Sequence, residues 1–341
     1  MNKVRKILLN VPKNVYKWLT FVFVLIDAIC FGLSTILQKI EVFDISSTYN
    51  SILAIFPWLE NIAEKYTVVF VGLTFIWLFL WLYRPRLLLL EHTSFAPDIA
   101  DVEAEFLRNY YVKTIKVDEC ELMKNNMDDG IIRAIDYQDR VINDLKMKGI
   151  DLCYYGIAHT PLVFRMGFKM GDQSNLKFLH KLRSNESLFQ EWSNEGAYAA
   201  IQSNEFNKTV SSQELIVSIS TSLEIKKEDL LSLQPENKHI LMFKTNNLSF
   251  DNITSYSVAE NYRTTIMIDI RECVKKYQIK RIHLVISSSV AFTFFLGQAF
   301  SNQHDPITII YHYQNNKYRW GICINEVAEK ALVINNVSDP K

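Results

Sequence analysis

Tyr154–Met170 reads "YYGIAHTPLVFRMGFKM". A run of strand-forming residues ends at Gly156, a polar turn follows through Ala158, His159 and Thr160, and apolar residues then recur at helical spacing. Proline suits the first turn of a helix, where its missing N–H has no intrahelical partner, so Pro161 marks a start. The same order returns at Leu284–Phe300, "LVISSSVAFTFFLGQAF". The fold turns on whether this repetition extends outward in both directions.

It does. Before the first copy, "LLLLEHTS" (Leu87–Ser94) and "VKTIKV" (Val112–Val117) read as strands. Asp129–Gly149 places Ile131, Ile132, Ile135, Val141, Ile142 and Leu145 at helical spacing, and Gly149 suits a C-terminal stop. "IDLCYYG" is a buried strand, Pro161–Met170 a helix and Leu176–Leu182 a strand. In the second half the strands "ELIVSISTS" (Glu214–Ser222) and "HILMF" (His239–Phe243) precede a helix over Val258–Tyr277. A strand at Arg281–Ser287, a helix at Val290–Phe300 and a strand at Ile307–Tyr313 complete it. Ser94 and Ser222 stand 128 positions apart, Gly167 and Gly297 130. Strands alternating with helices imply an α/β fold of two Rossmann-like layers, with parallel sheets covered on both faces. The first half runs over about 87–210 and the second over about 211–325, with polar Gln190–Gln213 as the connection and 326–341 as a tail.

The N-terminal part has another character. Trp18–Leu37 is apolar but for Asp27, and Tyr66–Tyr83 carries no charge and has aromatic residues at its ends. At about 1.5 Å per residue, twenty helical residues span roughly 30 Å, the thickness of a bilayer's hydrocarbon. Two transmembrane helices, 18–37 and 66–83, are expected, since no small-residue cleavage site of a signal peptide follows the first. Lys3, Arg5, Lys6, Lys13 and Lys17 precede the first span, and Arg84 and Arg86 follow the second. The connection 38–65 is poorer in basic residues and holds Glu41, Asp44, Glu60 and Glu64. The positive-inside rule then places the basic N-terminus (1–17) and everything after 83 in the cytoplasm, and 38–65 outside. A carboxylate inside a bilayer is costly. Asp27 either lines an assembled pore or lies near enough to an interface to be hydrated.

The 341 residues carry 37 basic and 37 acidic side chains, so bulk charge gives no argument for a DNA or RNA polymer as partner. Five cysteines lie scattered, with no Cys-x-x-Cys pair, which fits buried thiols in a reducing compartment. The histidines show no metal-ligand spacing. No Gly-x-Ser-x-Gly elbow occurs, and the acidic residues Asp128, Asp129, Asp136 and Asp139 lie on a helix face without a companion nuclease motif. No cofactor, metal or enzymatic activity is expected.

In open parallel sheets, ligands bind beyond the carboxyl ends of the strands, where strand order reverses. That rule selects four turns: His92-Thr93-Ser94, Ala158-His159-Thr160, Ser220-Thr221-Ser222 and Ser287-Ser288-Ser289. Small hydroxyl residues there either cap the following helices or leave N–H groups open to phosphate. Lys181 and Arg183 follow the first half's last strand and can pair with phosphate. Tyr311, His312 and Tyr313 end the corresponding strand of the second half, where tyrosine can stack on a base. Solvated charges and half-buried strand aromatics are the competing account of these residues. The candidate ligand residues are therefore Thr93, Ser94, His159, Thr160, Lys181, Arg183, Ser220, Thr221, Ser287, Ser288, Ser289, Tyr311 and Tyr313.

"YYGIAHTPLVFRMGFKMGDQSNLKFLHKLRSNESLFQEW" resembles the first half of a SAVED domain, and "RIHLVISSSVAFTFFLGQAFSNQHDPITIIYHYQNNKYRWGICI" its second half. The likeness covers roughly Leu87 to Ile324. It implies two fused CARF-like units over 87–325 that bind a cyclic di- or oligonucleotide in bacterial anti-phage signalling (CBASS). It also implies head-to-tail self-association that switches on a fused effector. Here the effector would be the two-helix transmembrane hairpin, a membrane-disrupting element in the bacterial inner membrane. The stretch between Arg84 and Asp129, about 45 residues, is too short for the nuclease, protease or NAD-cleaving domains found in other members. His159 and Pro161 depart from a glycine-rich phosphate loop, and His159 is the residue to suspect in any ligand cleavage. The other reading is a membrane-anchored α/β scaffold whose assembly is independent of nucleotide.

Overall fold

Leu87, Leu88, Leu89 and Leu90 are all buried, so this run cannot present one face to water. It forms β1 (Arg86–Thr93), a central strand packed on both sides. The structure, a computed structural model, describes residues 86–96, 99, 101–108, 110–125, 127–146, 151–171, 176–181, 188–197 and 200–325. The spans expected at 18–37 and 66–83, Asp27, Arg183 and the tail 326–341 lie outside the described residues. None of the helices among the described residues is long and apolar enough to cross a membrane.

The chain divides into two compact units, residues 1–86 with 104–111 and residues 87–103 with 112–341. In the first, the short helix α1 (Ala104–Arg108) is described, and Phe106 packs on Tyr110 with ring centroids 5.3 Å apart. The remaining elements carry the candidate site. They are β2 (Tyr111–Asp118), α2 (Cys120–Asn125), α3 (Met127–Lys146), β3 (Asp151–Ile157), α4 (Thr160–Met170), β4 (Leu176–Lys181), β5 (Phe189–Glu191) and β6 (Ile201–Phe206). There follow β7 (Glu214–Ser220), β8 (His239–Thr245), α5 (Tyr256–Tyr277), β9 (Arg281–Ser287), α6 (Val290–Gly297), β10 (Ile307–Gln314) and β11 (Lys317–Cys323).

The first sheet has the order β2-β1-β3-β4-β5, the second β11-β10-β9-β7-β8-β6. Read from the other edge, the second repeats the first as β8-β7-β9-β10-β11, with β6 added. β1–β3–β4 and β8–β7–β9–β10 are parallel. The edge pairings β4–β5, β10–β11 and β6–β8 are antiparallel, so the sheets are mixed and not wholly parallel as expected from the sequence. The cause at one edge is a two-residue turn. Asn315 and Asn316 both adopt positive φ, 53° and 60°. That pair suits a tight hairpin because its twist matches the flanking strands. Nor is Gln190–Gln213 a plain connection, since it contains part of β5 and all of β6. The helix expected to reach Phe300 ends at Gly297.

Sequence periodicity tells which residues are buried, but not against what. Here the two equivalent helices exchange partners. α4 of the first half lies against β10 and β11 of the second sheet, and α6 lies against β3 and β4 of the first. They also lie against each other across Gly167 and Gly297. A Cβ at Gly167 would overlap the carbonyl oxygen of Phe294, and one at Gly297 that of Phe164. The two glycines let the helix backbones touch. The halves thus share one hydrophobic core, through Phe164, Phe178, Phe292, Phe294 and Trp320.

Candidate functional site

The exchange of helices decides what each helix start faces. The first turn of α6 leaves its leading N–H groups without intrahelical acceptors. Ser289 caps it, its Oγ accepting from the Phe292 N–H at 3.3 Å. Across from that turn stand the carboxyl ends of β3 and β4. Between them lies a cavity of about 470 Å³, lined by Gly156, Ile157, His180, Lys181, Phe189, Phe250, Ser288 and Ser289 among others. Phe189 is buried in the cavity wall and Phe250 is 38% exposed, so one open aromatic face, a cation, two hydroxyls and a helix start converge on one space. His180 adds a polar group unread in the sequence. It is 7% exposed, and neither ring nitrogen has a hydrogen-bond partner among the described residues. Burial lowers its pKa against the opposing pull of Asp251, favouring a neutral ring.

The equivalent position of the first half is built differently. His159 occupies the N-cap of α4, but its side chain does not cap. Its backbone N–H donates to Ser94 Oγ at 2.7 Å, and the Ser94 hydroxyl lies 2.6 Å from His159 Nδ1. The hydroxyl accepts from the backbone N–H and keeps both a proton and a second lone pair for the ring nitrogen, so it pairs with Nδ1 in either tautomer of the neutral ring. His159 stacks on Phe95 and touches His312 and Trp320, ring centroids 3.9, 4.7 and 5.7 Å away. Beneath Ser94, His92 lies between Tyr154 and Glu119. Its Nδ1 is 2.9 Å from the Tyr154 hydroxyl and its Nε2 is 3.0 Å from the carboxylate. A carboxylate only accepts, so Nε2–H donates and, in the neutral ring, Nδ1 accepts from Tyr154. This fully buried chain ties β1, β3 and the start of α2 together under the strand ends.

The structure brings Lys181, Ser288 and Ser289 to the cavity, and Ser94 and His159 to the aromatic group. Thr160 is the first residue of α4, and Thr93 is buried at the end of β1. Ser220, Thr221 and Ser287 brace the turns behind the cavity. Ser220 Oγ accepts from the Ile225 N–H, Ser287 Oγ from the Leu223 N–H, and the Thr221 hydroxyl reaches Ser288 Oγ at 2.7 Å. The two tyrosines lie elsewhere. Tyr311 is buried in a separate cluster with its hydroxyl on His283, and Tyr313 is exposed with its hydroxyl on Asp229. Side chains alternate along a strand, so of this trio the middle residue, His312, faces the helix start. His180, Phe95, Phe189, Phe250 and Trp320 escape the sequence reading because apolar and aromatic residues in strands and turns are ordinary core. Among the described residues no group of His, Cys, Asp and Glu could hold a metal ion.

Burial holds His159 at about 3, with the neighbouring His312 and His92 adding to it, and holds His312 and His283 at about 4. All three are neutral in the fold and titrate near 6.5 when exposed. Stability is complete above that value and is lost as pH falls towards 4, because the unfolded chain takes up the protons first. Each histidine removes up to about 1.4 kcal/mol per pH unit in that window. Melting temperature measured from pH 8 to pH 5 is expected to fall steeply below 6.5, and less steeply in His312→Phe.

Residues 135–324, more than half of the chain, match the family model of SAVED, the SMODS-associated and fused to various effectors sensor domain. The chain belongs to the SAVED family. Solved structures resembling it include the Acinetobacter baumannii Cap4 SAVED/CARF-domain containing receptor with the cyclic trinucleotide 3′3′3′-cAAA, at 12% identity and TM-score 0.48. The same receptor with 2′3′3′-cAAA gives 11% and 0.47. In both cases 76% of this chain and 60% of the other are covered. The Moraxella osloensis Cap4 receptor aligns at 13% identity and TM-score 0.41, over 76% of this chain and 58% of that one. The SAVED chain described here thus spans about 60% of the length of these receptors. No curated protein sequence matches it.

Proposed function

We propose that this SAVED protein is a membrane-anchored receptor for a cyclic oligonucleotide second messenger in bacterial anti-phage defence (CBASS). On this reading it is a sensor and not an enzyme. Its ligand takes the cavity at the ends of β3 and β4, its cytoplasmic domains associate head to tail, and residues 18–37 and 66–83 disrupt the inner membrane when clustered.

The observation that carries the reading is the composition of the cavity. A cyclic oligonucleotide presents phosphates and flat bases. Lys181 and the open N–H groups of α6 suit the phosphates. Phe250, which is 38% exposed, suits a base, and His180 offers ring nitrogens to its edge. Assembly and membrane disruption rest on the two apolar sequence runs and on family resemblance.

Titration calorimetry of the purified full chain against cyclic di-, tri- and tetranucleotides tests the sensor reading. Saturable binding of at least one is expected. Heat from none of them, with the chain folded, overturns it. Sedimentation of the same samples is expected to show a mass increase only with the bound nucleotide, and a constant mass would favour the scaffold.

A further inference from the structure

The two halves set equivalent helix starts against equivalent strand ends, and the two positions differ in what fills them. At one, Ser289 faces His180, Lys181 and Phe189 across an open cavity. At the other, His159 faces His312 and Trp320, and Phe95 covers the group. Phe95 is 52% exposed. Its ring nevertheless stacks on His159 at 3.9 Å with the planes 25° apart, and sits 5.9 Å from His312. His312 and Trp320 lie 5.1 Å apart.

The polar atoms of this group are incompletely used. Trp320 is fully buried, yet its indole N–H has no partner, and His312 Nδ1 is also unpartnered among the described residues. Buried polar groups left without a partner are uncommon, because water has been given up for nothing. A phenyl ring offers these atoms a π-face but no hydrogen-bonding edge. A purine offers both.

We propose that Phe95 acts as a built-in stacking ring over a second nucleobase pocket floored by His159, His312 and Trp320, and that a purine of the ligand enters by displacing it. The proposal rests on the sensor reading and extends it. One base is taken by the open cavity, and a second is admitted only when it outcompetes the chain's own ring. The neutral state of His312 supports this, since at physiological pH a neutral imidazole keeps one nitrogen able to accept from an exocyclic amine.

Adenosine monophosphate, titrated into the full chain in detergent micelles, is a probe independent of ring size. Phe95→Ala is expected to tighten its binding about tenfold over the unsubstituted chain, the scale of one base stack. Phe95→Leu, which keeps an apolar side chain but not the stack, is expected to shift in the same direction. Nucleotide-induced quenching of tryptophan fluorescence is expected in Phe95→Ala and is lost when Trp320→Phe is added. Equal affinity in the unsubstituted chain and in both Phe95 variants overturns the pocket, as does quenching indifferent to Trp320. Cyclic nucleotides that bind the unsubstituted chain while Phe95→Ala leaves monophosphate affinity unchanged sink this proposal alone. The opposite pattern keeps the pocket and sinks the cyclic ligand.

Discussion

Lys181→Glu is expected to weaken binding of the cyclic nucleotide about a hundredfold while leaving the melting temperature within a degree or two. Lys181 is the last residue of β4, lines the cavity and is only partly buried, so the fold does not depend on its charge. A charge-assisted hydrogen bond to phosphate contributes about 1.5–3 kcal/mol, and reversing the charge replaces attraction by repulsion at the same place. About 2.7 kcal/mol is a hundredfold in the dissociation constant. Lys181→Arg keeps the charge and should recover most of the affinity. The loss should shrink as salt rises, because the cavity is open to solvent and its field is screened. Calorimetry of the three forms at two ionic strengths is the measurement. An affinity unchanged by the reversal would place the phosphates elsewhere.

Replacing the serines of the facing turn is a less selective test than the sequence implied. Ser287 supports the Leu223 N–H, Ser288 holds Thr221 and Ser289 caps α6, so changing all three unsettles the turn as well as the cavity. Ser288→Leu alone fills the space with less harm to the cap.

What the sequence displays is what depends on near neighbours. The apolar run Leu87–Leu90 and the proline opening α4 follow from local chemistry, and the strand and the helix they announce stand where they were expected. The hairpin at Asn315–Asn316 was written there too. Two consecutive asparagines between strand-like runs are a turn signal, and the strand they open, β11, carries Trp320. Other features are not local. That α4 would lie on the second sheet and α6 on the first depends on how two halves clasp, and the period of a helix is silent about its partner. The candidate site follows from that exchange, which is why Lys181 and Ser289, 108 positions apart, line one cavity. Tyr311 and Tyr313 flank His312 on the strand, and their hydroxyls go to His283 and Asp229.

The clasp itself should be the most fragile feature of the protein. Gly167→Ala and Gly297→Ala are each expected to destabilise the domain by about 3 kcal/mol or more, although alanine is the better helix former by nearly 1 kcal/mol. In both cases the new methyl group meets a backbone carbonyl, of Phe294 or of Phe164, and a backbone atom cannot swing aside as a flexible side chain can. The only relief is for the helices to separate, which opens the shared core around Phe164, Phe292 and Phe294. Separation once made admits the second methyl group at little further cost. The double variant should therefore be destabilised by clearly less than the sum of the singles, with a coupling of at least about 1 kcal/mol. Urea denaturation of the three variants, followed by circular dichroism, measures this cycle. Costs below about 0.5 kcal/mol for either single change, or strict additivity, would show that the helices do not cross backbone to backbone. The helix starts at His159 and Ser289 are carried by the same two helices, so both variants should also weaken nucleotide binding without touching a residue that lines the cavity.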